Sequence, residues 1–377
     1  MTCIHSFVLW AHLLSWVLLL GAGCGLGRGE EPSSDAASIA GPDKAVRWAE
    51  GFGWAAQGHL LWVADAGDTT WWAHQWSGPG PGGVAVTVLG PADELKVATW
   101  STTHVPYLRA IGAEAQWVAS GYAERVQLPK ESIVALGGDA GLDEERLLVS
   151  GADLLTSYPF GNPMEGTSER TGVPVLPLTE YAESHPLGRA EYLRVFGWLT
   201  GREAAADSVF DVIESAYSDI RLQAEELAVT QGRPVVFTGS SQNGRWTAPG
   251  VEGLVARLIQ DAGGRYAFEE VVVGDMALNR VGSNYEVELE QCAAIAARSA
   301  FWGKVVHAPE GWDRTQAQLE APWCDFTGKT LFHCNTAEVD YFGAAVLEPH
   351  RMLADLAQLL HGLDSGAPRT YFKPTPP

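Results

Sequence analysis

The sequence predicts an α/β fold, in which two layered α/β lobes are joined by one long rigid helix and preceded by an extra N-terminal antiparallel β ribbon. Three observations predict it. Glu203 to Thr230 run without glycine or proline between Gly201 and Gly232, and Val209, Ile213, Tyr217, Ile220, Ala224 and Leu227 recur there at steps of three and four. Short apolar strand patterns alternate with helical patterns on both sides of that stretch. A chain of 377 residues is also long enough to bury a separate core in each half. At 1.5 Å per residue the helix spans roughly 40 Å, enough to pass from one globular unit to another. Its opposite face carries Asp207, Asp211, Glu214, Asp219, Arg221, Glu225 and Glu226, as expected of a helix with one buried stripe.

Residues 1–23 read as an export signal, because the apolar run Phe7 to Gly23 is short for a spanning helix and lies at the N-terminus. A membrane anchor or a plain secretory signal are the alternatives. Leu20-Gly21-Ala22-Gly23-Cys24 resembles a bacterial lipoprotein cleavage box. That resemblance implies lipidation of Cys24 and an exported, membrane-anchored protein in the periplasm or at the cell surface. Residues 24–43, rich in Ser, Ala and Gly, are expected as a flexible tether.

The N-terminal lobe is expected over 44–201, with the ribbon at 45–90. Tryptophan-rich strand patterns there, Arg47 to Trp54, His59 to Ala64, Thr69 to Trp76 and Val84 to Leu89, are parted by glycine-bearing turns. Gly78-Pro79-Gly80-Pro81-Gly82-Gly83 matches the glycine spacing of a dinucleotide loop, but two prolines remove amide donors and a strand pattern follows where a helix is required, so it reads as a plain loop. From Lys96 the pattern becomes α/β, with strands at Lys96–Trp100, Trp117–Ala119, Ile133–Leu136, Asp153–Thr156 and Val173–Leu178 and helices at Val105–Ile111 and Glu144–Val149. The connecting helix takes 202–231. The C-terminal lobe, 232–362, repeats the alternation: strands at Pro234–Thr238, Phe301–Val306 and Thr330–His333, helices at Val251–Ala262, Glu286–Ala297 and Pro349–Leu360. Residues 363–377 are expected as a tail. In an exported chain Cys324 and Cys334 are expected as a disulfide, and Cys292, within an apolar helical pattern, as a buried small hydrophobe.

Composition narrows the function. Lys plus Arg number 25 against 46 Asp plus Glu, a formal charge of −21 without any basic run, and such a surface repels phosphate backbones, which excludes nucleic acid as the expected partner. The sequence lacks a GxSxG elbow, HExxH, a CxxC pair and a P-loop, so a non-enzyme is expected, with a secreted hydrolase using Ser240 or Ser241 after a strand as the alternative. Neither a cofactor nor a directly bound metal is expected, since no His and carboxylate cluster has ligand spacing.

From about Lys96 to Gly362 the chain resembles the helix-spined, class III, periplasmic substrate-binding proteins of ABC importers for vitamin B12, ferric siderophores or haem. The likeness rests on stretches in order: Tyr107-Leu108-Arg109-Ala110-Ile111-Gly112-Ala113; Asp143-Glu144-Glu145-Arg146-Leu147-Leu148 with Gly151-Ala152-Asp153-Leu154-Leu155; Leu187-Gly188-Arg189-Ala190-Glu191-Tyr192 with Phe196-Gly197-Trp198-Leu199-Thr200-Gly201-Arg202-Glu203-Ala204; and Asp340-Tyr341-Phe342 with the helix from Pro349. The resemblance implies a monomer that binds a metal chelate between its lobes and passes it to a membrane permease. The cleft residues are expected after strands on both lobes, where open α/β sheets place their sites. Tyr122, Tyr158, Trp246 and Tyr341 are aromatic and suit a large flat or chelated ligand, with Thr102, Thr103 and Arg245 as polar contacts. By resemblance Trp246 and the Asp340-Tyr341 pair match positions that line the cleft in B12-binding members. Likewise Glu145 and Glu290 match the glutamates that meet arginines on the permease, an arrangement that sets orientation and encounter rate. A helix without proline or glycine resists bending, so only modest lobe closure is expected.

Overall fold

A computed structural model describes residues 45–65, 68–126, 133–159, 164–242, 244–269, 279–281, 284–364 and 366–377. The expected export signal, the tether and Cys24 lie outside these residues. The N-terminal half opens with β1 (Phe52–Ala55), β2 (Leu60–Asp65), β3 (Asp68–His74) and β4 (Thr87–Leu89), paired in that order. The first three are antiparallel as expected, whereas β4 joins β3 in parallel. The proline-glycine stretch before β4 is a loop ending in a short 3-10 turn at Pro81–Gly83.

The α/β part follows with β5 (Val97–Thr99), α1 (Val105–Ala110), β6 (Trp117–Ser120), β7 (Val134–Ala135), a two-strand hairpin of β8 (Gly137–Gly138) and β9 (Gly141–Leu142), α2 (Glu144–Ser150), β10 (Leu154–Ser157), α3 (Thr167–Thr171) and β11 (Val175–Pro177). Its parallel sheet has the order β11-β10-β5-β6-β7. Leu154, Leu155, Ala98 and Leu176 are completely buried, so the strands read as unbroken apolar runs, as sheets covered on both faces do.

Two short helices, α4 (Pro186–Glu191) and α5 (Leu193–Thr200), lead into α6 (Glu203–Gln231), a continuous helix of 29 residues. Its buried stripe is Ala206, Phe210, Ile213, Tyr217, Ala224 and Ala228, rotated slightly from the expected one, with Val209 and Ile220 on its margin. The first half packs on α5, where Gly197 is required because a Cβ there would stand 2.5 Å from the Ala206 methyl. Across the same contact Arg194 bonds Asp207 at 2.7 Å.

The C-terminal half contains β12 (Val235–Thr238), β13 (Ser240–Gln242), β14 (Arg245–Pro249), α7 (Leu254–Asp261), β15 (Arg265–Tyr266), β16 (Asn279–Val281), β17 (Asn284–Val287), α8 (Leu289–Ala297), β18 (Phe301–Val306), α9 (Arg314–Glu320), β19 (Thr330–Asn335), α10 (Pro349–His361) and β20 (Lys373–Pro374). One sheet is β15-β12-β18-β19-β20, parallel except for β20; the other is the antiparallel β13-β14-β17-β16. Residues 286 and 287, expected to begin a helix, instead pair with β14, and the helix starts at Leu289. The expected tail is in part built into this lobe: the buried Asp355 carboxylate accepts from the amides of Thr370, Tyr371 and Phe372, which leads the chain into β20. Helix α10 lies along the second half of α6.

Cys324 and Cys334 are free and buried, so the expected disulfide is absent. Cys324 has Lys329 and Asp325 as neighbours, before β19 begins, whereas Cys334 lies four residues into that strand near Asp355 and Tyr341. Burial pushes the Cys334 and Cys292 thiols up to about 12.

Residues 45–51, of which 47–51 were expected within a strand, form a strap over α4 and α6. The fully buried Glu191 accepts from the amides of Arg47, Trp48 and Ala49 at 2.9, 2.8 and 3.0 Å, and Glu183 accepts from those of Glu50 and Gly51 at 3.0 and 2.9 Å. Arg47 pairs with Asp211, and the Trp48 indole donates to Glu214, both on α6. The Trp48 ring stacks on His185 at 4.3 Å. His185 Nε2 in turn lies 3.6 Å from Asp261 of α7, a carboxylate that also takes the Tyr217 hydroxyl at 2.8 Å and Arg257 at 3.0 Å. One buried cluster thus joins strap, N-terminal half, spine and C-terminal half.

Two outcomes follow from these buried groups. Glu191→Ala leaves three strap amides without an acceptor and is expected to cost about 3 kcal/mol, read as a lower urea midpoint, while Glu226→Ala on the exposed face of α6 changes it by less than about 0.5 kcal/mol. Burial, opposed by Asp261, lowers the His185 pKa from 6.5 to about 4. The folded ring is therefore neutral where the unfolded one takes up a proton, so stability is complete above pH 6.5 and declines as the pH falls towards 4. His185→Asn keeps an acceptor for the Leu187 amide but cannot titrate, and its urea midpoint should fall less steeply over that interval.

Candidate functional site

The loops that follow the strands of the two sheets meet at one place. Helices α1 and α4, which follow β5 and β11, touch the 3-10 turn Ala344–Leu347 that follows β19, and α4 also touches α7. The core is continuous across this contact. Between the halves lies a small crevice of about 20 Å³, lined among others by Pro186, Arg189, Leu258, Tyr341, Val346 and Met352. That is room for little more than one water molecule, far below the roughly 300–1,000 Å³ usual for ligand sites.

On the N-terminal wall the polar side chains hold each other. Ser101 caps the turn Thr102–His104 by accepting from the Thr103 amide, and the Thr103 hydroxyl donates to Glu180 at 2.6 Å. His104 stands between Thr156, at 2.9 Å from Nδ1, and Glu180, at 3.5 Å from Nε2. Burial works to raise the Glu180 pKa, but His104 and Thr103 hold it below the usual range. A threonine, a histidine and a glutamate in that order have the connectivity of a nucleophile, base and acid. All three are at most 1% exposed, so no substrate reaches them and they act as a brace. Thr102 is half-buried at the start of this turn.

Beside it Tyr122 and Tyr158, both expected in the cleft, come together after β6 and β10. Tyr122 has φ +49°, an uncommon value for a bulky residue, fixed by its amide donating to Gly137 at 2.7 Å. Its ring lies 5.3 Å from that of Trp100 and under the Arg125 guanidinium at 4.5 Å. Gly121 permits this approach, since a Cβ would meet Trp100 at 2.6 Å. Burial first, then the neighbouring Tyr158 and Asp139, push the Tyr122 phenol up to about 12. The result is a half-buried aromatic shelf at the end of the sheet.

The C-terminal residues distribute differently from expectation. Tyr341 lines the crevice, its phenol pushed up to about 12 by burial and Cys334 against the opposing charge of Arg189. Trp246 is fully buried among Phe237, Trp302 and Trp323, because the alternation along β14 turns it inward while its neighbour Arg245 faces out. A ligand does not reach it in this structure. Arg245 is held by Glu286 at 3.3 Å and Glu288 at 2.9 Å. Asp340 spends its carboxylate on the amides of Gly343 and Ala344, which fixes the turn behind Tyr341. The Ser240 hydroxyl makes no hydrogen bond to a histidine among the described residues.

Sequence reasoning missed Trp100 and Arg189. Arg189 is flanked on α4 by the buried Pro186, Leu187, Gly188, Ala190 and Glu191. One basic residue in a helix otherwise so buried was the signal available.

No family model matches the sequence. The uncharacterized lipoprotein MJ0878 of Methanocaldococcus jannaschii is 22% identical over 253 residues, covering 65% of this chain and 56% of that protein, so the chain spans little more than half of that relative. Among solved structures, a periplasmic binding protein from Veillonella parvula superposes with a TM-score of 0.56 at 13% identity, covering 81% of this chain and 98% of that one. A periplasmic heme binding protein from Pseudomonas aeruginosa gives 0.54 at 16% identity over 75% and 98%. The siderophore binding protein FhuD from Vibrio cholerae, solved with Fe3+-Desferal, gives 0.51 at 14% identity over 73% and 100%. Two α/β halves on one continuous helix, meeting at their strand-end loops, give this chain the fold of the helix-spined periplasmic binding proteins.

Proposed function

We propose that this chain is the substrate-binding lipoprotein of an ABC importer, which captures a metal chelate between its lobes and delivers it to a membrane permease. The observation that carries the reading is the 29-residue helix α6, which holds two α/β halves so that their strand-end loops face one another. The neighbours in fold that bind heme and Fe3+-Desferal, and the lipoprotein among the relatives, support the cargo class, export and lipidation at Cys24. Ferric siderophore, corrinoid and haem all suit an aromatic shelf of Tyr122 and Tyr158, which the buried Trp100 backs from beneath.

Delivery needs a docking surface on each lobe. Glu145 and Glu290 are exposed, each in the first turn of its helix, α2 and α8, and neither pairs with a basic side chain among the described residues. Acids at these positions are favoured by the helix dipole and remain available to arginines on a partner.

Tryptophan fluorescence titrated with haemin, cyanocobalamin and ferric siderophores tests the reading. Saturable quenching by one of them is expected, with affinity reduced tenfold or more by Tyr122→Ala or Tyr158→Ala; no quenching and no thermal shift with any would overturn it. In vesicles carrying the permease, Glu145→Lys with Glu290→Lys should abolish uptake while leaving chelate affinity as in the wild type.

A further inference from the structure

The ribbon β1 to β4 has two faces of different kinds. One face puts Phe52, Leu61, Val63 and Trp72 into the main core. Alternation turns their neighbours the other way, and the register sets these in rows: Gly53, Trp62 and Trp71 side by side, then Ala55, Leu60, Ala73 and Val88. Gly53 is required in the first row, because a Cβ there would stand 2.6 Å from the Trp62 ring that lies across it. The second row forms a small apolar cluster of its own, with Trp71, Trp76 and Val86 packed against it. Trp62, Trp71 and Trp76 are half-buried, while Val84 and Val88 are 42% and 50% exposed.

This outer face is uncharged in a chain whose formal charge is −21. Neither row holds an Asp, Glu, Lys or Arg, and none occurs anywhere from Thr69 to Ala92, although such residues make up 19% of the chain. Tryptophans over glycine and alanine also suit sugar rings, but sugar hydroxyls ask for carboxylate, amide or basic partners, and both rows lack them. An indole has an apolar body and a polar N–H, which suits the boundary between hydrocarbon and water. The position of the ribbon agrees with such a surface. The strap 45–51 runs directly into β1, so only Gly25 to Lys44 separate the fold from Cys24, a length that reaches at most about 70 Å when fully extended.

We propose that the outer face of the ribbon rests on the headgroup region of the membrane that carries the anchor, with Trp62, Trp71 and Trp76 at the interface and Val84 and Val88 entering it. This rests on the lipoprotein part of the importer reading and deepens it. The acylated cysteine holds the chain to the bilayer, and the ribbon gives it a second, reversible contact that sets which side lies down.

The test uses the acylated mature chain in phosphatidylcholine vesicles, where the acidic protein meets no net surface charge. A spin label is placed at Val88→Cys or, on the exposed side of α6, at Val229→Cys; Cys292, Cys324 and Cys334 are buried and stay unlabelled. Oxygen, which enters lipid, and a neutral nickel chelate, which stays in water, report the surroundings of each label. The ratio of oxygen to nickel access is expected to be at least about fivefold higher at Val88 than at Val229. The chain from Gly25 onward lacks the anchor and keeps every described residue, and it is expected to float with the same vesicles. Val84→Asp with Val88→Asp should lower the floating fraction at least about tenfold. Both positions are exposed, so an unchanged thermal midpoint shows the fold intact. If the anchor-free chain does not float, the label ratios decide alone. Equal ratios at Val88 and Val229, or flotation that survives the two aspartates, overturns the proposal and leaves the importer reading standing. A doubled mass in solution that the aspartates abolish, with equal ratios, assigns the face to a second copy, and retention on peptidoglycan with equal ratios assigns it to glycan; either overturns it. If mass spectrometry shows Cys24 unacylated, the anchor falls, and flotation of the chain from Gly25 still decides the face.

Discussion

The unbroken hydrogen-bond ladder of α6 is the constraint on which the rest depends. Over 29 residues it contains neither glycine nor proline, and bending it means opening backbone bonds in water. Its two halves are pinned by different partners, α5 on one side and α10 on the other, so each half of the molecule is referenced to the same rod. At its middle, Tyr217 donates to Asp261 while Glu214 accepts from Trp48. Lobe, rod and strap are thereby joined by desolvated polar contacts, whose geometry is stricter than that of apolar packing.

That rigidity decides how a ligand can be accommodated. A rod that resists bending disfavours large swings of one lobe, which leaves the contact between α4, α7 and the turn at Ala344–Leu347, where the crevice lies, as the place for adjustment. The brace of His104, Thr156 and Glu180 keeps the N-terminal wall from following such a movement, and Asp340 does the same for the turn carrying Tyr341. Walls that are stiff around a small adjustable gap favour preorganised binding, in which less ordering cost is met at capture.

Much of the architecture was legible because local and global preferences agree. The period of α6, the apolar parallel strands and the loop at Gly78 to Gly83 each follow from composition and spacing alone. The placement of Tyr122 and Tyr158 just after strands was legible too. Failures arose where a distant partner decided. Glu286 and Val287 read as helix but pair with β14. Trp246 reads as a cleft aromatic but occupies the inward phase of its strand, and 47–51 reads as strand but yields its amides to Glu183 and Glu191. Cys324 and Cys334 are close in sequence, yet both thiols are free and buried. Arg189 could be seen as unusual, yet only the facing turn from the other half sets it at a crevice.

The most direct measurement is the distance between spin labels at Val149→Cys and Leu319→Cys, both exposed and one on each lobe, in a chain beginning after Cys24. A continuous spine predicts one narrow distance population that moves by less than about 5 Å when chelate is added. A broad or double population, or a shift beyond about 10 Å, would mean that α6 does not hold the lobes as a single rod.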